Sequence, residues 1–233
     1  DSKRNFMLEN RNCIVFWLIA ILIFLIYGNT LDDEWHFDDK HNIVVAKNVH
    51  IKYLNLSELK ISTIKESTGK LYRPISRISF ALNWYFGGKN VTGYHIINIL
   101  VHISAGYFLY LTILLMLQAP RAPDVHVKYR QFIALSAAVL WATNPIQTQA
   151  VTYVVQRMAS MAGLFYIMCL FFYLKGRLNK TRIHSVIYYF VTLLCALLAI
   201  GSKENTIMIP FSLLLVEVCF FQPIRSIKIQ KYV

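Results

Sequence analysis

The chain has 233 residues, 56% of them hydrophobic and only 15% charged, with a formal net charge of +12. Soluble globular domains carry about a quarter charged residues, so this composition excludes an ordinary water-soluble enzyme. It points instead to an all-α, multi-pass transmembrane helical bundle, because several apolar runs approach the roughly 20 residues that cross a bilayer. The positive charge does not indicate nucleic acid, since the basic residues lie mostly in short loops between apolar runs.

In chain order, the first apolar run is 13–28. It follows Lys3, Arg4 and Arg11, is long for a signal-peptide core and lacks a following A-x-A site, so a retained signal-anchor helix is expected after a cytoplasmic stretch 1–12. Residues 29–93 form the one sizeable hydrophilic segment. It opens on "EWHFDDKHNI", passes a polar middle with "NLS" and "ESTGK", and closes on "YRPISRISFALNWYFGG". From Ser76 to Phe86 the closing piece reads as a short helix lying on the membrane surface. Arg73 and Arg77 stand at its start, and Trp84, Tyr85 and Phe86 at its end. Gly87 and Gly88 then permit a sharp turn. Further runs follow within 94–221, at 94–118, 131–143, 158–174, 184–201 and 206–221. The run at 131–143 is short, and Pro145 breaks the helix after it. The basic end, 222–233, reads as the edge of a longer chain.

Lys and Arg in short loops set orientation. Arg121, Lys128 and Arg130, then Lys175, Arg177, Lys180 and Arg182, then Arg225, Lys228 and Lys231 mark basic loops. The loops between them carry only Arg157 and only Lys203. With about six spans, this alternation predicts that both ends are cytoplasmic and that 29–93 faces the other side.

That topology gathers Asp38, Asp39, Arg73, Arg77, Arg157, Lys203 and Glu204 on the non-cytoplasmic face. Two readings stand: interfacial charge, with Arg and Lys snorkelling to the headgroups, or a shared site. His95, Asn98 and His102 form one helical stripe, read as helix-to-helix hydrogen bonding or as ligand contact. "HFDDKH" fits no zinc spacing, so no cofactor is assigned; its carboxylates would suit a divalent metal held together with substrate phosphates. Cys13, Cys169, Cys195 and Cys219 all lie in apolar runs and read as packing residues. "NLS" at Asn55 and "NVT" at Asn90 are acceptor tripeptides for N-glycosylation.

"FDDKHNIVVAKNVH", "YRPISRISFALNWYFGGKNVTGYHIINILVH", "NPIQTQAVTYVVQRMASMAGLFY" and "GSKENTIMIPFSLLLVEV" occur in that order. On these segments the chain resembles the GT-C glycosyltransferases, integral membrane enzymes that use polyprenyl-phosphate sugars. It is most similar to the transmembrane and tetratricopeptide-repeat (TMTC) O-mannosyltransferases and their bacterial relatives. The resemblance implies a GT-C-like bundle in a bacterial inner membrane or the endoplasmic reticulum membrane. It implies Asp38 as catalytic base, with Asp39 beside it and His41 near. It also implies Arg73, Arg157 and Lys203 as ligands of the donor phosphate, supported by Arg77, His95, His102 and Glu204. The implied partners are a polyprenyl-phosphate sugar, a protein or other hydroxyl acceptor, and membrane lipids.

Two positions depart from the family pattern: Asn144 stands where a histidine is common, and Gln149 where a glutamate is common. The chain also has fewer spans than the family and no tetratricopeptide repeats, as expected of the N-terminal part of a larger enzyme.

The chemistry asks for a carboxylate next to the bilayer to deprotonate an acceptor hydroxyl, and for fixed cations to stabilise a leaving phosphate. The expected function is therefore sugar transfer from the lipid donor on the lumenal or periplasmic side, with mannose the sugar that the resemblance implies. The alternative is a non-catalytic lipid-carrier-binding or transporter-like membrane protein. Transport is disfavoured because Glu217 is the one acid well inside a run.

Overall fold

The computed structural model describes residues 2–65 and 68–222. The basic residues Arg225, Lys228 and Lys231 lie outside that range, as do the side chains of Lys3, Arg4, Arg11 and Lys128. The elements are α1 (Ser2–Tyr27), α2 (Leu56–Ser62), α3 (Pro74–Gly87), α4 (Thr92–Met116), α5 (Val127–Ala142), α6 (Thr148–Thr152), α7 (Arg157–Leu178), α8 (Arg182–Ser202) and α9 (Ile209–Phe220), with a long connection between α1 and α2 that holds three short helical turns, Gly28–Asp32, Lys40–Val44 and Lys47–Val49. Two residues of the loop, Ile64 and Leu71, form one antiparallel bridge.

Four segments are long and apolar enough to cross a bilayer: Asn12–Asp32, Thr92–Met116, Val154–Leu178 and Arg182–Ser202. The chain is an integral membrane protein. The two remaining apolar runs are α5, of 16 residues, and α9, of 12. At 1.5 Å per residue they extend about 24 and 18 Å, short of the roughly 30 Å hydrocarbon core. Asn144–Pro145 ends the turn after α5, and Pro210 stands in the first turn of α9.

Helix packing follows the small residues. Ile19, Ile23 and Tyr27 are buried along one face of α1, while Trp17, Leu18, Ile21, Phe24 and Leu25 face outward. The buried face meets α4 at Gly106, where an added methyl group would sit 3.3 Å from Ile19. Ala134, Ala138 and Ala142 make a buried small-residue stripe on α5 against the same core. Stripes of this kind let membrane helices approach closely enough for dispersion contacts to add up. α7 runs along α8 with Gly176 under the ring of Tyr189, and α8 closes a third core of Cys169, Cys195, Ala199 and Ile209. Glu217 is tied by Arg177 (2.8 Å) and by the hydroxyl of Tyr173 (2.6 Å), which satisfies the one acid inside α9.

The surface helix expected at Ser76–Phe86 is α3. It begins at Pro74, whose missing N–H costs nothing in a first turn, and Gly88, at φ +56°, ends it. Its buried face carries Ser76, Arg77, Phe80 and Ala81, and Phe86 at its end is 77% exposed. α3 docks onto the end of α8: Ile75 covers Gly201 so closely that a methyl group there would lie 2.7 Å away, and the Ser76 hydroxyl donates to the Ser202 carbonyl at 3.0 Å. The first loop folds over α3 through Ile43, Val49, Ile51, Phe80, Tyr94, Val154 and Met158.

Candidate functional site

Asp38 and Asp39 are adjacent in sequence but have opposite surroundings. Asp38 is exposed, and its backbone N–H donates to the Tyr153 hydroxyl at 2.8 Å. Asp39 is fully buried. Its Oδ2 accepts from the His36 N–H at 3.1 Å and its Oδ1 from the Val155 N–H at 2.7 Å. Burial pushes the Asp39 carboxyl above its ordinary range, although the His36 and Val155 amides pull the other way. The two carboxylates therefore do not converge on one point. Asp39 fastens the loop to the turn before α7, and Asp38 is left free at the surface. A catalytic role for Asp39, expected from the resemblance, does not match this burial; its placement is that of a positioning residue.

Phe37, directly before Asp38, has φ +37°, and Arg73 has φ +42°. Among the described residues these are the only non-glycine positions with positive φ. The left-handed region costs an ordinary L-residue about 1–2 kcal/mol. At Arg73 the following proline disfavours helical backbone further. Strain persists where the surroundings over-determine it, and it gathers at functional sites. Here it marks the neighbour of the candidate base and a candidate donor ligand. Neither position is legible from composition or periodicity.

A groove of about 690 Å³ lies between the first loop and the segment Pro145–Tyr153; its walls include Phe37 and Tyr153, the residue before Asp38 and the acceptor of its N–H, but not Asp38 itself. Asp33, His36, Phe37, Ile146, Gln149 and Tyr153 are among its walls. Phe37 is 89% exposed and meets Tyr153 edge to face, with ring centroids 6.3 Å apart. Burial and the charges of Asp38 and Asp39 raise the Tyr153 hydroxyl above its usual pKa, against the lowering by the Asp38 amide. Sequence reasoning passed over Tyr153, which has no charge and belongs to no motif of fixed spacing. Gln149 stands in the groove wall, and Asn144 caps the Pro145–Gln147 turn by accepting the Ile146 N–H at 3.0 Å. The two departures from the family pattern thus have different places, one lining the groove and one holding a turn.

The predicted phosphate ligands separate. Arg157 is fully buried. Its Nε donates to Asn98 Oδ1 (2.7 Å), Nη1 to Asn83 Oδ1 (2.6 Å) and Nη2 to the Tyr94 carbonyl (2.8 Å). The guanidinium lies over the Phe80 ring at 4.9 Å. A phosphate contact does not match this placement, because the fork is spent joining α3, α4 and α7. Arg73 is half-buried and grips the exposed Glu204 with two hydrogen bonds, Nε to Oε2 at 2.8 Å and Nη2 to Oε1 at 2.6 Å. That contact holds the Glu204 carboxyl down at about 2 and raises Arg73. Lys203, next in chain to Glu204, is half-buried and makes no ion pair among the described residues.

The supporting residues divide in the same way. His102 is buried, with Nε2 2.9 Å from the Ala142 carbonyl and its ring against Tyr27 and Trp141. Asn98 donates to the Val151 carbonyl at 3.1 Å. Two of the three residues of the α4 polar stripe, Asn98 and His102, therefore hydrogen-bond to neighbouring segments. His95 is buried and approaches the Asp33 backbone, with neither ring nitrogen in good hydrogen-bond geometry to a described residue. His41 and Arg77 line another groove, of about 340 Å³, with Asn48 and Lys65, and share no wall with the one lined by Phe37 and Tyr153. Among the described residues no three His, Cys, Asp or Glu side chains are placed to hold a metal ion.

No family profile matches the chain, and no solved structure matches it. Curated proteins do. The protein O-mannosyl-transferase tmtc2 of Xenopus laevis is 30% identical over 165 residues, 68% of this chain and 18% of that protein. The protein O-mannosyl-transferase TMTC4 of Mus musculus is 26% identical over 214 residues, 83% of this chain and 28% of that protein. TMTC4 of Homo sapiens is 25% identical over 225 residues, covering 90% and 30%. The chain thus spans less than a third of the length of these relatives. Over most of its own length it is related to the TMTC-type protein O-mannosyl-transferases, within the GT-C class that its motifs resemble.

Proposed function

We propose that this chain forms the acidic-loop part of a membrane glycosyltransferase that moves a sugar from a polyprenyl-phosphate donor to a protein hydroxyl on the non-cytoplasmic face. The observation that carries the reading is the free, exposed Asp38, which follows a strained residue of the groove wall. Asp38 takes the proton of the acceptor hydroxyl; the hydroxyl oxygen bonds to the anomeric carbon as the carbon–oxygen bond to phosphate breaks. Lys203 and Arg73 receive the departing lipid phosphate. Glu204 holds Arg73 until then. The Glu204 side chain is 71% exposed, so water and a phosphate oxygen can reach the face of Arg73 that the carboxylate occupies. Mannose is the sugar suggested by the names of the relatives. The basic loops support cytoplasmic ends, and the animal relatives support the endoplasmic reticulum membrane.

Gln149 favours a second reading, a lipid-carrier-binding protein without transfer, because an amide in the groove wall cannot exchange a proton as a glutamate does. One experiment separates the two. Polyprenyl-phosphate mannose is supplied to membranes containing the full-length protein, and Asp38→Asn is compared with wild type for donor binding and for transfer to peptide. Loss of transfer with donor binding kept supports the enzyme. Donor binding without transfer by wild type supports the carrier-binding reading, and transfer by Asp38→Asn at the wild-type rate removes Asp38 as base.

A further inference from the structure

Asn55 lies in the first loop, far along the chain from the spans that end at Asp32 and begin at Thr92. It opens the tripeptide Asn55-Leu56-Ser57. Its Oδ1 accepts from the Ser57 hydroxyl and from the Glu58 N–H, each at 2.8 Å, so its Nδ2 is the part left to solvent. Around it stand three apolar side chains with no cover: Tyr53 is 68% exposed, Leu54 55% and Leu56 87%. A water-facing segment seldom leaves so many neighbouring apolar residues bare without a reason.

The chain holds two other such tripeptides, and their surroundings differ. Asn90-Val91-Thr92 lies at the first turn of α4, and Asn90 Oδ1 accepts the Thr92 N–H at 3.1 Å. An enzyme approaching that amide meets the bilayer. Asn179-Lys180-Thr181 fills the short link between α7 and α8, on the face read as cytoplasmic.

We propose that Asn55 is an N-glycosylation site, that its glycan covers Tyr53, Leu54 and Leu56, and that Asn90 and Asn179 are unmodified. The inference rests on the non-cytoplasmic placement of the first loop given above. The co-reactant is a lipid-diphosphate-linked oligosaccharide. The Asn55 nitrogen bonds to the sugar's anomeric carbon, the carbon–oxygen bond to diphosphate breaks, the lipid diphosphate leaves with the electron pair, and the amide gives up one proton to the transferase's base. Attachment happens on the emerging chain; the folded protein has only to leave room, which an exposed Nδ2 does.

The chain is expressed in cultured animal cells and treated with a peptide-N-glycosidase, an amidase that releases the whole N-glycan by hydrolysing the asparagine side-chain amide. One mobility step is expected. It is absent in Ser57→Ala, kept in Ser57→Thr, and unaffected by Thr92→Ala or Thr181→Ala. Ser57→Ala keeps the Asn55 side chain that accepts the Glu58 amide, and enzymatic release from the wild type converts Asn55 to aspartate in its peptide, so the result does not hang on a variant's folding. Orientation is read separately. Lys60→Cys in a background lacking the native cysteines is treated with an impermeant thiol reagent in sealed microsomes. Protection of this thiol with no glycan at Asn55 overturns the proposal and leaves the orientation standing. Labelling of the sealed vesicles overturns the orientation and the proposal together. A step that follows Thr92 or Thr181 assigns the glycan elsewhere and also overturns it.

Discussion

Arg157→Lys keeps a positive charge and discards the fork. In the structure that fork holds Asn98 Oδ1, Asn83 Oδ1 and the Tyr94 carbonyl at 2.7, 2.6 and 2.8 Å. The Tyr94 carbonyl lies in the first turn of α4, where a helical N–H can still reach it. The two amide oxygens have no such recourse, and Asn98 is fully buried. Stranding a buried acceptor costs about 1–3 kcal/mol, so Arg157→Met should destabilise by roughly 3–5 kcal/mol, within the range seen when one partner of a buried charged network is removed. Lysine, with a shorter reach and a single ammonium, should recover less than half. Thermal unfolding in detergent, followed by tryptophan fluorescence, should fall on the order of 10 °C for Arg157→Met, at the roughly 2–4 °C per kcal/mol expected for a chain of this size. Donor affinity of the fraction still folded should be unchanged. If either variant unfolds at the wild-type temperature while losing donor binding, the residue is a phosphate ligand after all and the structural assignment fails.

Tyr153→Phe keeps the contact with Phe37 but removes the acceptor for the Asp38 N–H; about 1 kcal/mol of lost positioning predicts transfer slowed between five- and tenfold with donor Kd unchanged, checked by single-turnover transfer. Glu204→Gln should cost at most about 1 kcal/mol, because its side chain is 71% exposed, and should tighten donor binding a few-fold by freeing Arg73, measured by titration with polyprenyl phosphate. The Glu204 carboxyl is depressed in the fold, so the stability it adds is complete above its unfolded pKa and fades only as pH falls through about 2. Between pH 5 and 8, Glu204→Gln and wild type should therefore unfold with the same pH slope. His95→Leu should unfold within about 1 kcal/mol of wild type, since the ring has no well-formed hydrogen bond and loses only its approach to the Asp33 backbone; a larger loss of stability would make that approach a genuine hydrogen bond.

The bundle was legible because bilayer-length apolar runs obey a strong rule, and α3 was legible from the arginines before it and its aromatic end, although its start at Pro74 lies two residues ahead of the Ser76 that the pattern indicated. The short run at 131–143 became α5, of 16 residues, as its length and Pro145 indicated, whereas α9 is shorter than its apolar run because it starts only at Ile209, after the turn Glu204–Met208. The site was readable as a set of charged residues on one face, but their burial was not. Sequence treats Arg73 and Arg157 alike. Only the packing of α3 against α4 separates an arginine that can meet a ligand from one that Asn83 and Asn98 already occupy. Asp38 and Asp39 diverge for a similar reason: adjacent residues in a turn point different ways, and the turn, with its positive φ at Phe37, had no signal in the residue types. Tyr153 shows the same limit from the other side, as an ordinary tyrosine made significant by one amide.

The short stretch from Tyr153 to Arg157 receives Asp38, Asp39, α3 and α4 at once. The hydrogen bonds from it to the two aspartates close chain separations of 115 and 116 residues. During synthesis at about 5–20 residues per second, the first loop therefore emerges and waits on the order of 10 s before its anchor exists. Through that interval Asp39 has no Val155 amide to bind and stays solvated, and its burial is completed only when the start of α7 arrives. Membrane insertion of α7 and maturation of the acidic loop are thus a single event, so a chain stalled before residue 157 should carry a first loop open to protease, and one extended past α7 should carry it closed.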